Sequence, residues 1–352
     1  MTDTVDARDA ADPTDARSTG ETETLLVLVA GTTGTARVPG ISAAGSDPTL
    51  RRYTPSADAE ILVCGEPVAA PAVPVSPTGT PTPAVLTRAV VETLGLDTLV
   101  VDAGLREPAA VETHEVGAAP GRDVREPVAV PAARRIYESA RDLGRSLDAA
   151  RVVVGETIPG GTTTAMAVLT ALGEPTAVSS SLPQNPTARK RAVVASALTA
   201  SDTARGDSAD TPLEAVRLVG DPVLPAVAGV ARGAAEADAR VVLGGGTQLA
   251  AAAALLRHDG VGVPLELATT SFVAADETAA VDRLAAALSL ELTVTDPDFA
   301  VVGDHPAVAG YRDGEAKEGV CAGGALAVAA DRDALAPVRE RVVRVYERLV
   351  DQ

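Results

Sequence analysis

The stretch VVVGETIPGGTTTA, residues 152–165, decides the fold class. Its three consecutive valines form a short apolar run that is typical of a buried strand. A glycine-rich turn follows at once, and then an alanine-rich stretch long enough for a helix. Strand, glycine turn and helix in this order are the unit from which parallel sheets are built. The sequence therefore predicts an α/β protein.

The same alternation of apolar runs and alanine-rich stretches continues along the chain. Strands are predicted at the runs that begin at Leu25, Glu60, Leu99, Val152, Thr176, Val241, Leu265 and Ala325. Helices are predicted over Arg134–Leu147, Thr163–Leu172, Ala188–Ala200, Pro222–Ala237, Thr247–His258, Glu277–Leu288 and Arg332–Val350. We expect a doubly wound, Rossmann-like parallel sheet with Ala-rich helices on both faces and a smaller helical or mixed part at the chain ends.

Composition separates a tail from one large domain. Residues 1–23 are rich in Asp, Thr and Ala without apolar periodicity, which predicts a disordered acidic tail. The domain, residues 24–352, comprises an N-terminal part (24–150), a core that carries the motifs (151–330) and a C-terminal helix (331–352). Within the N-terminal part, the proline-rich segment 67–83 is predicted to be an extended surface loop and a candidate lid.

Charge and residue usage exclude several function classes. Asp and Glu number 48 against 30 Lys and Arg, and the net charge of -18 repels nucleic acid and anionic lipid. Aromatic residues make up only 2%, too few for stacking on single-stranded bases. The acidic surface suits high salt. Cys64 and Cys321 form no CxxC motif, and neither a secretory leader nor a spanning segment is visible, so a cytoplasmic protein without membrane or nucleic-acid partners is predicted.

The first candidate ligand loop is the glycine-rich turn after Val154. Gly160 and Gly161 permit close backbone approach, and Thr162 and Thr163 supply hydroxyls and first-turn amides at the start of a helix, which suits a phosphate. The turn has neither the GK[ST] ending of a triphosphate loop nor the GxGxxG spacing of a dinucleotide loop. A tight turn in which threonine caps the helix explains the pattern equally well.

Two further strand-end loops are rich in glycine. The stretch GGGTQLAA contains Gly244, Gly245, Gly246 and Thr247, and such a cluster indicates close approach either by a ligand or by a neighbouring helix. The stretch KEGVCAGGALAV contains Glu318, Gly323 and Gly324. A carboxylate among glycine and small apolar residues is partly desolvated, which raises its pKa and makes it a better proton acceptor near neutrality. A solvated loop glutamate remains the alternative for Glu318.

The remaining reactive side chains give weaker signals. Lys190 is one of only two lysines in an acidic chain, which suggests a specific anionic partner, although a surface cation on a helix fits as well. His114, His258 and His305 share no short spacing, so no metal site is predicted. Cys321 has no histidine near it in sequence and is expected to be a small buried residue.

In this order, the motifs resemble those of nicotinate-nucleotide:dimethylbenzimidazole phosphoribosyltransferases, and the chain as a whole looks like their archaeal branch. Four segments carry the resemblance: GETIPGGTTTA, TARKRAVVASAL, the block from VGDPVLPAV to GGGTQLAAAAALL, and KEGVCAGGALAV. In the archaeal branch it extends forward through VPGISAAGSDPTLRRYTPSADAEIL. The chain departs from the family pattern at Thr162, where the family has Asn, at GGG in place of DG, and by two extra residues after Glu318.

The resemblance implies transfer of the 5-phosphoribosyl group from nicotinate mononucleotide to 5,6-dimethylbenzimidazole or a related base, giving an α-riboside phosphate for the cobamide lower ligand. It implies Glu318 as the general base, with Glu156 as the second candidate, no cofactor or metal, and a homodimer. The implied phosphate- and ribose-binding residues are Gly160, Gly161, Thr162, Thr163, Lys190, Gly244, Gly245, Gly246, Thr247, Gly323 and Gly324.

Two other functions remain open at this point. In the first, the same pocket uses another acceptor, such as adenine or a phenol, because the part of the pocket that binds the acceptor differs from that of the family. The non-enzymatic alternative is a nucleotide sensor that binds the nucleotide without turnover. A protein that only binds an anionic nucleotide gains nothing from a nearby carboxylate such as Glu318. An NAD-dependent enzyme is disfavoured because no strand end carries the GxGxxG fingerprint.

Overall fold

A seven-stranded parallel sheet organises the protein. The structure, a computed structural model, describes residues 23–42 and 49–351. The strands are β1 (Thr24–Ala30), β2 (Asp97–Asp102), β3 (His114–Glu115), β4 (Arg151–Thr157), β5 (Arg240–Gly244), β6 (Glu266–Thr270) and β7 (Glu291–Thr295). All pairings are parallel, in the order β3-β2-β1-β4-β5-β6-β7. The predicted tail lies outside the described residues except for Glu23, and the predicted division of the domain stays a prediction.

Helices connect most of the strands and complete the chain after β7. They are α1 (Thr54–Cys64), α2 (Ala84–Leu94), α3 (Ala133–Ser146), α4 (Gly161–Leu172), α5 (Thr187–Ala200), α6 (Pro212–Val219), α7 (Val223–Glu236), α8 (Thr247–His258), α9 (Ser271–Ala274), α10 (Val281–Ala287), α11 (Pro306–Arg312), α12 (Ala322–Asp331) and α13 (Leu335–Val350). Within the described ranges, none of these helices is both long and apolar enough to cross a bilayer.

The helices cover both faces of the sheet, because successive strand residues point to opposite sides. In β1, Val27 and Val29 belong to the core beneath α3, α4, α7 and α8, whereas Leu26 and Leu28 belong to the core beneath α1, α2, α12 and α13. The chain winds outward from β1 in both directions, first to β2 and β3 and then to β4. The predicted α/β class with a doubly wound parallel sheet is confirmed.

Three predicted strands are wrong. Residues 60–64 lie in α1 and residues 325–330 lie in α12, because a short apolar run fits a buried helix as well as a buried strand. Residues 176–181 form neither helix nor strand. The carbonyls of 179–181 accept hydrogen bonds from two lysine side chains and one loop N–H group, where a strand would accept them from a neighbouring strand. Two strands were not predicted: β3 has only two residues, and β7 is a half-exposed edge strand without a continuous apolar run.

Helix α12 packs directly on the sheet because glycines remove the side chains between them. A Cβ on Gly244 would lie 3.0 Å from the Cα of Gly324, and a Cβ on Gly323 would lie 2.5 Å from the Cα of Thr269. Neither backbone has room to retreat in a close-packed core. The N-terminal end of α12 is thereby fixed at the carboxyl ends of β5 and β6.

Candidate active site

A cavity of about 920 Å³, counting space open to solvent, lies at the carboxyl ends of β4 and β5. Loops at this edge are where parallel α/β sheets bind ligands. The wall residues come from segments far apart in sequence: 41–42, 54, 58, 74–76, 80–83, 156–162, 179–181, 246–248 and 316–320. The cavity therefore forms only when the whole sheet is assembled.

The loop after β4 brings the first helix end to this cavity. Gly160 adopts a φ of +87°, in the left-handed region that glycine occupies without strain, and its Cβ position lies 3.1 Å from the Cα of Ala36. Gly160, Gly161 and Thr162 line the wall. Because α4 begins here, the positive end of its dipole lies at the cavity, although its N–H groups at Gly161 and Thr163 already donate to backbone carbonyls of the turn.

A second helix begins at the same wall. Gly246, Thr247 and Gln248 line the cavity at the N-terminus of α8. The backbone N–H of Ser179 donates to the Oγ1 of Thr247 over 3.1 Å, which joins this helix end to the segment 179–181. Two helix N-termini at one cavity favour an anionic ligand such as a phosphate.

Glu318 lies in the cavity wall just before α12. Its Oε1 accepts from the N–H of Gly323 at 2.8 Å, and its Oε2 accepts from the N–H of Thr270 at 3.2 Å. Burial raises the pKa of Glu318 to about 7, although these N–H donors favour the charged form. The carboxylate is thus partly ionised at neutral pH and lines a cavity, as a general base must.

The backbone that presents Glu318 is strained. Val320 and Cys321 have φ values of +52° and +65°, a region that a β-branched residue rarely adopts. The N–H of Val320 donates to the carbonyl of Glu156 over 2.8 Å, and the hydroxyl of Thr87 donates to the carbonyl of Val320. Strain of this kind persists where surrounding contacts enforce it, which is common at functional sites.

Two more carboxylates line the cavity. Burial raises the pKa of Glu156 to about 8, with further increases from the neighbouring charges of Asp221, Glu318 and Asp58. Burial also raises the pKa of Asp58 to about 6, and its two oxygens accept from the hydroxyls of Thr82 and Thr157, each over 2.6 Å. At pH 7 Glu156 is mainly protonated and can donate a hydrogen bond, while Glu318 is the carboxylate that exchanges a proton most readily.

The proline-rich loop forms the roof of the cavity, which we define as residues 74–83. Val75 and Pro81 face each other across a tight hairpin, and the roof hydroxyls of Ser76, Thr78 and Thr80 all donate to the Oε2 of Glu315. These donors outweigh burial and lower the pKa of Glu315. The candidate lid thus covers the cavity, and its movement stays a prediction.

Comparisons with known proteins identify the family of the chain. A family model described as phosphoribosyltransferase, DBI_PRT, matches residues 82–261. A UPF0284 protein of Halobacterium salinarum is 56% identical over 94% of this chain and 99% of that protein. One of Methanothermobacter thermautotrophicus is 41% identical over 87% of this chain and 88% of that protein. The chain belongs to the DBI_PRT phosphoribosyltransferase family.

The fold of the family is seen in two solved structures from Thermus thermophilus. One is described as a nicotinate-nucleotide-dimethylbenzimidazole phosphoribosyltransferase and matches with a TM-score of 0.60 over 90% of this chain and 83% of that chain. The other, described as CobT, matches with a TM-score of 0.61 over 90% and 84%. Each is 20% identical to this chain, so the likeness establishes the shared architecture.

The structure brings seven of the predicted site residues of this DBI_PRT protein into one wall. They are Glu156, Gly160, Gly161, Thr162, Gly246, Thr247 and Glu318. The two carboxylates proposed as bases are close enough for the charge of Glu318 to raise the pKa of Glu156. The sequence motifs that lie more than 150 residues apart therefore meet at one cavity.

Six predicted binding residues lie outside the cavity wall: Thr163, Lys190, Gly244, Gly245, Gly323 and Gly324. The Nζ of Lys190 is fully buried and donates to the carbonyl of Ser179 over 2.6 Å, so a direct phosphate contact does not match its position. Gly244 and Gly324 pack against each other, and a Cβ on Gly245 would overlap Leu249.

The other two residues of this set also act behind the wall. Thr163 is buried in the first turn of α4, and Gly323 donates its N–H to Glu318. For these positions the glycine and threonine pattern reflects packing and support of the site. Direct contact of these residues with a ligand stays a prediction.

Sequence reasoning missed several wall residues. Asp58, Thr157, Gln248, Lys317 and the segment Ser179–Ser181 all line the cavity. Lys317 was visible as the second of two lysines and the immediate neighbour of Glu318, and SSS stands out as a run. Asp58 lies within an ordinary helix, and no local pattern distinguishes it from a surface acid.

Proposed function

We propose that this phosphoribosyltransferase moves the 5-phosphoribosyl group of nicotinate mononucleotide to 5,6-dimethylbenzimidazole or a related base. The product is an α-riboside phosphate for the cobamide lower ligand. Membership of the DBI_PRT family supports the reaction class, and one Thermus thermophilus neighbour is named for this reaction. The observation that carries the proposal is a partly buried Glu318, with a pKa of about 7, in the same cavity as two helix N-termini.

The chemistry needs one base. The nicotinate of the substrate carries a pyridinium charge and leaves as a neutral pyridine ring, so its departure requires no proton. The acceptor nitrogen attacks C1′ from the opposite face and forms the new C–N bond as the old one breaks. The imidazole ring of the acceptor must then lose one proton, and Glu318, which lines the cavity, would accept it.

The rest of the wall has a binding role in this proposal. The helix N-termini at Gly160–Thr162 and at Thr247 would hold the 5′-phosphate by N–H groups and hydroxyls. Glu156, protonated at neutral pH, would donate to a ribose hydroxyl. The roof over the cavity would limit entry of water, which competes with the acceptor for C1′.

Base-dependent release of nicotinate tests the proposal. The purified chain is incubated in high salt with nicotinate mononucleotide, with and without 5,6-dimethylbenzimidazole, and free nicotinate is measured by chromatography. We expect release only with the acceptor present. Equal release without it would indicate hydrolysis, and no release with any base would support a nucleotide-binding protein without turnover. The homodimer implied by the resemblance and the cytoplasmic location predicted from the sequence are further proposals, and light scattering of the same sample tests the first.

A further inference from the structure

Half of the aromatic side chains of the protein lie together against the roof. The chain has two Phe, four Tyr and no Trp. Both phenylalanines and one tyrosine pack on one another with ring centroids 6.0–6.3 Å apart: Phe272 from α9, Phe299 from the turn at 299–302, and Tyr311 from α11. We call these three residues the aromatic cluster. It is specific to this place in the fold, since the rest of the described core is mainly aliphatic.

The hydroxyl of Tyr311 binds the roof. Its Oη donates to the carbonyl oxygens of Pro81 and Thr82, each over 2.9 Å. Burial raises the pKa of Tyr311 well above its usual value, so the hydroxyl keeps its proton and stays a donor. The preceding Gly310 allows this close approach, because a Cβ there would overlap the Oγ1 of Thr80. Helix α11 thus holds residues 80–82 of the roof directly.

Two carboxylates hold the same part of the roof from other sides. The hydroxyl of Thr80 donates to the Oε2 of Glu315, and the hydroxyl of Thr82 donates to the Oδ1 of Asp58, each over 2.6 Å. The N–H of Thr82 donates across the roof to the carbonyl of Pro74 over 3.0 Å. The polar groups of this part of the roof are therefore already bound by the protein.

The roof consequently presents a mainly apolar surface to the cavity. Four of its apolar residues line the wall: Pro74, Val75, Pro81 and Pro83. Proline has no N–H to offer, and the carbonyls of Pro81 and Thr82 already accept from Tyr311. A water molecule in a cavity needs two or more polar partners, whereas an aromatic ring packs on such a surface without them. This surface therefore favours a ring over water.

The aromatic cluster also lies next to the segment that holds Glu318. Phe272 follows Thr270 by two residues, and the N–H of Thr270 donates to the Oε2 of Glu318 over 3.2 Å. At the other end of the roof, a Cβ on Gly319 would lie 3.6 Å from the Cγ of Pro83. Roof and carboxylate thus adjoin, and the aromatic cluster connects the elements that carry them.

We propose that Tyr311 is a positioning residue that holds the roof beside Glu318, so that an acceptor ring reaches C1′ in preference to water. The reaction rests on the proposed function, whereas the attachment of the roof does not. Attack by water would break the same C–N bond, form a C–O bond, and release nicotinate, ribose 5-phosphate and one proton. Tyr311 is fully buried and outside the cavity wall, so it acts only through the roof.

The ratio of hydrolysis to transfer tests this role. Tyr311→Phe keeps the packed ring and removes only the hydroxyl. At fixed concentrations of nicotinate mononucleotide and 5,6-dimethylbenzimidazole, we expect the ratio of ribose 5-phosphate to riboside phosphate to rise about three- to tenfold, the effect of losing one hydrogen bond. The KM for nicotinate mononucleotide should stay within about twofold, because its proposed contacts lie elsewhere in the wall.

The matched control is Tyr137→Phe. Tyr137 is also a buried tyrosine, but it belongs to the core on the opposite face of the sheet, where its hydroxyl accepts from Arg232. Its substitution should leave the product ratio unchanged. If Tyr311→Phe does not fold, Thr82→Val removes the contact of the roof with Asp58 and should shift the ratio in the same direction.

Hydrogen exchange measures the attachment of the roof without turnover. The N–H groups of Ser76 and Thr82 donate to the carbonyls of Thr80 and Pro74 within the roof, so their exchange reports its opening. Tyr311→Phe should accelerate exchange at both about three- to tenfold, and Tyr137→Phe should not. This readout distinguishes an attached roof from a loop that moves independently of α11.

Three outcomes would overturn the proposal. Unchanged exchange would show that the hydroxyl does not hold the roof, and faster exchange with an unchanged product ratio would show that the roof does not exclude water. An equal fall in both products would assign the effect to the base. A wild-type protein that forms no riboside from any base would instead contradict the proposed function. Exchange, together with calorimetric binding of the base, which should weaken about threefold or more in Tyr311→Phe, then tests the roof alone.

Discussion

Replacement of Glu318 by glutamine removes the proposed base while keeping its shape. Loss of a positioned general base lowers the rate by about 10²–10⁴-fold, so we expect kcat/KM for the acceptor to fall at least about 100-fold. The affinity for nicotinate mononucleotide should change little, since the proposed phosphate contacts lie at other parts of the wall. The wild-type rate should rise with pH through about 7, as Glu318 loses its proton, and the residual rate of the variant should lack that rise.

The same substitution has a calculable effect on stability. A carboxyl whose pKa is raised from 4.5 to about 7 by folding binds its proton more tightly in the folded state. Its contribution is therefore full below pH 4.5 and is lost as the pH rises through about 7, a loss of about 3 kcal/mol. Glutamine avoids this loss, but its NH₂ group would face one of the N–H donors of Gly323 and Thr270. Glu318→Gln should thus unfold near the wild-type temperature at pH 8.

The assay combines initial rates over a range from about pH 5.5 to about pH 8.5, on both sides of the Glu318 pKa, with thermal unfolding of each protein. Glu266→Gln is the control, because Glu266 is a buried carboxylate that lies at the start of β6, away from the cavity. An inactive variant that is also unfolded would show a structural defect. A folded Glu318→Gln protein with an unchanged rate would refute the assignment of the base.

Further substitutions probe other parts of the cavity. Glu156→Gln should keep steady-state activity within about threefold at pH 7, since burial keeps Glu156 mainly protonated. A loss of rate as large as that of Glu318→Gln would make Glu156 the base. Glu315→Gln weakens three hydrogen bonds of the roof and should therefore raise the KM for the acceptor about threefold or more and speed proteolysis within 67–83. An unchanged KM and an unchanged digestion pattern would contradict a role for the roof. Gly244→Ala places a methyl group 3.0 Å from the Cα of Gly324 and should reduce the free energy of unfolding by about 1–3 kcal/mol in urea titrations, whereas an unchanged midpoint would show that α12 moves freely.

The strands were predictable where a continuous apolar run and the residues on either side of it both indicated a strand. The runs at Leu25, Val152 and Val241 each contain consecutive apolar residues, and they form the central strands β1, β4 and β5, which are buried on both faces. The apolar runs in α1 and α12 were not distinguishable from strands, because both environments are apolar. The glycines of α12 contact sheet residues that are distant in sequence, so a prediction from neighbouring residues alone does not include these contacts.

The site was predictable only as far as local motifs reach. The glycine turn at 160–162 and the EG pair at 318–319 are contiguous signals, and both lie in the wall. Lys190 was singled out as unusual, but its contact with the carbonyl of Ser179 was not predictable, because the docking of α5 sets it. Asp58 reaches the cavity through tertiary packing alone, so sequence spacing does not reveal it.

Quantification of both products from one reaction tests the central claim most directly. Nicotinate and the riboside phosphate of 5,6-dimethylbenzimidazole are measured over time by chromatography, and the anomeric configuration of the riboside is determined by NMR. Attack opposite the leaving group predicts equal amounts of the two products and the α configuration only. Nicotinate without an equal amount of riboside, or a β-riboside, would contradict displacement at C1′ in this cavity.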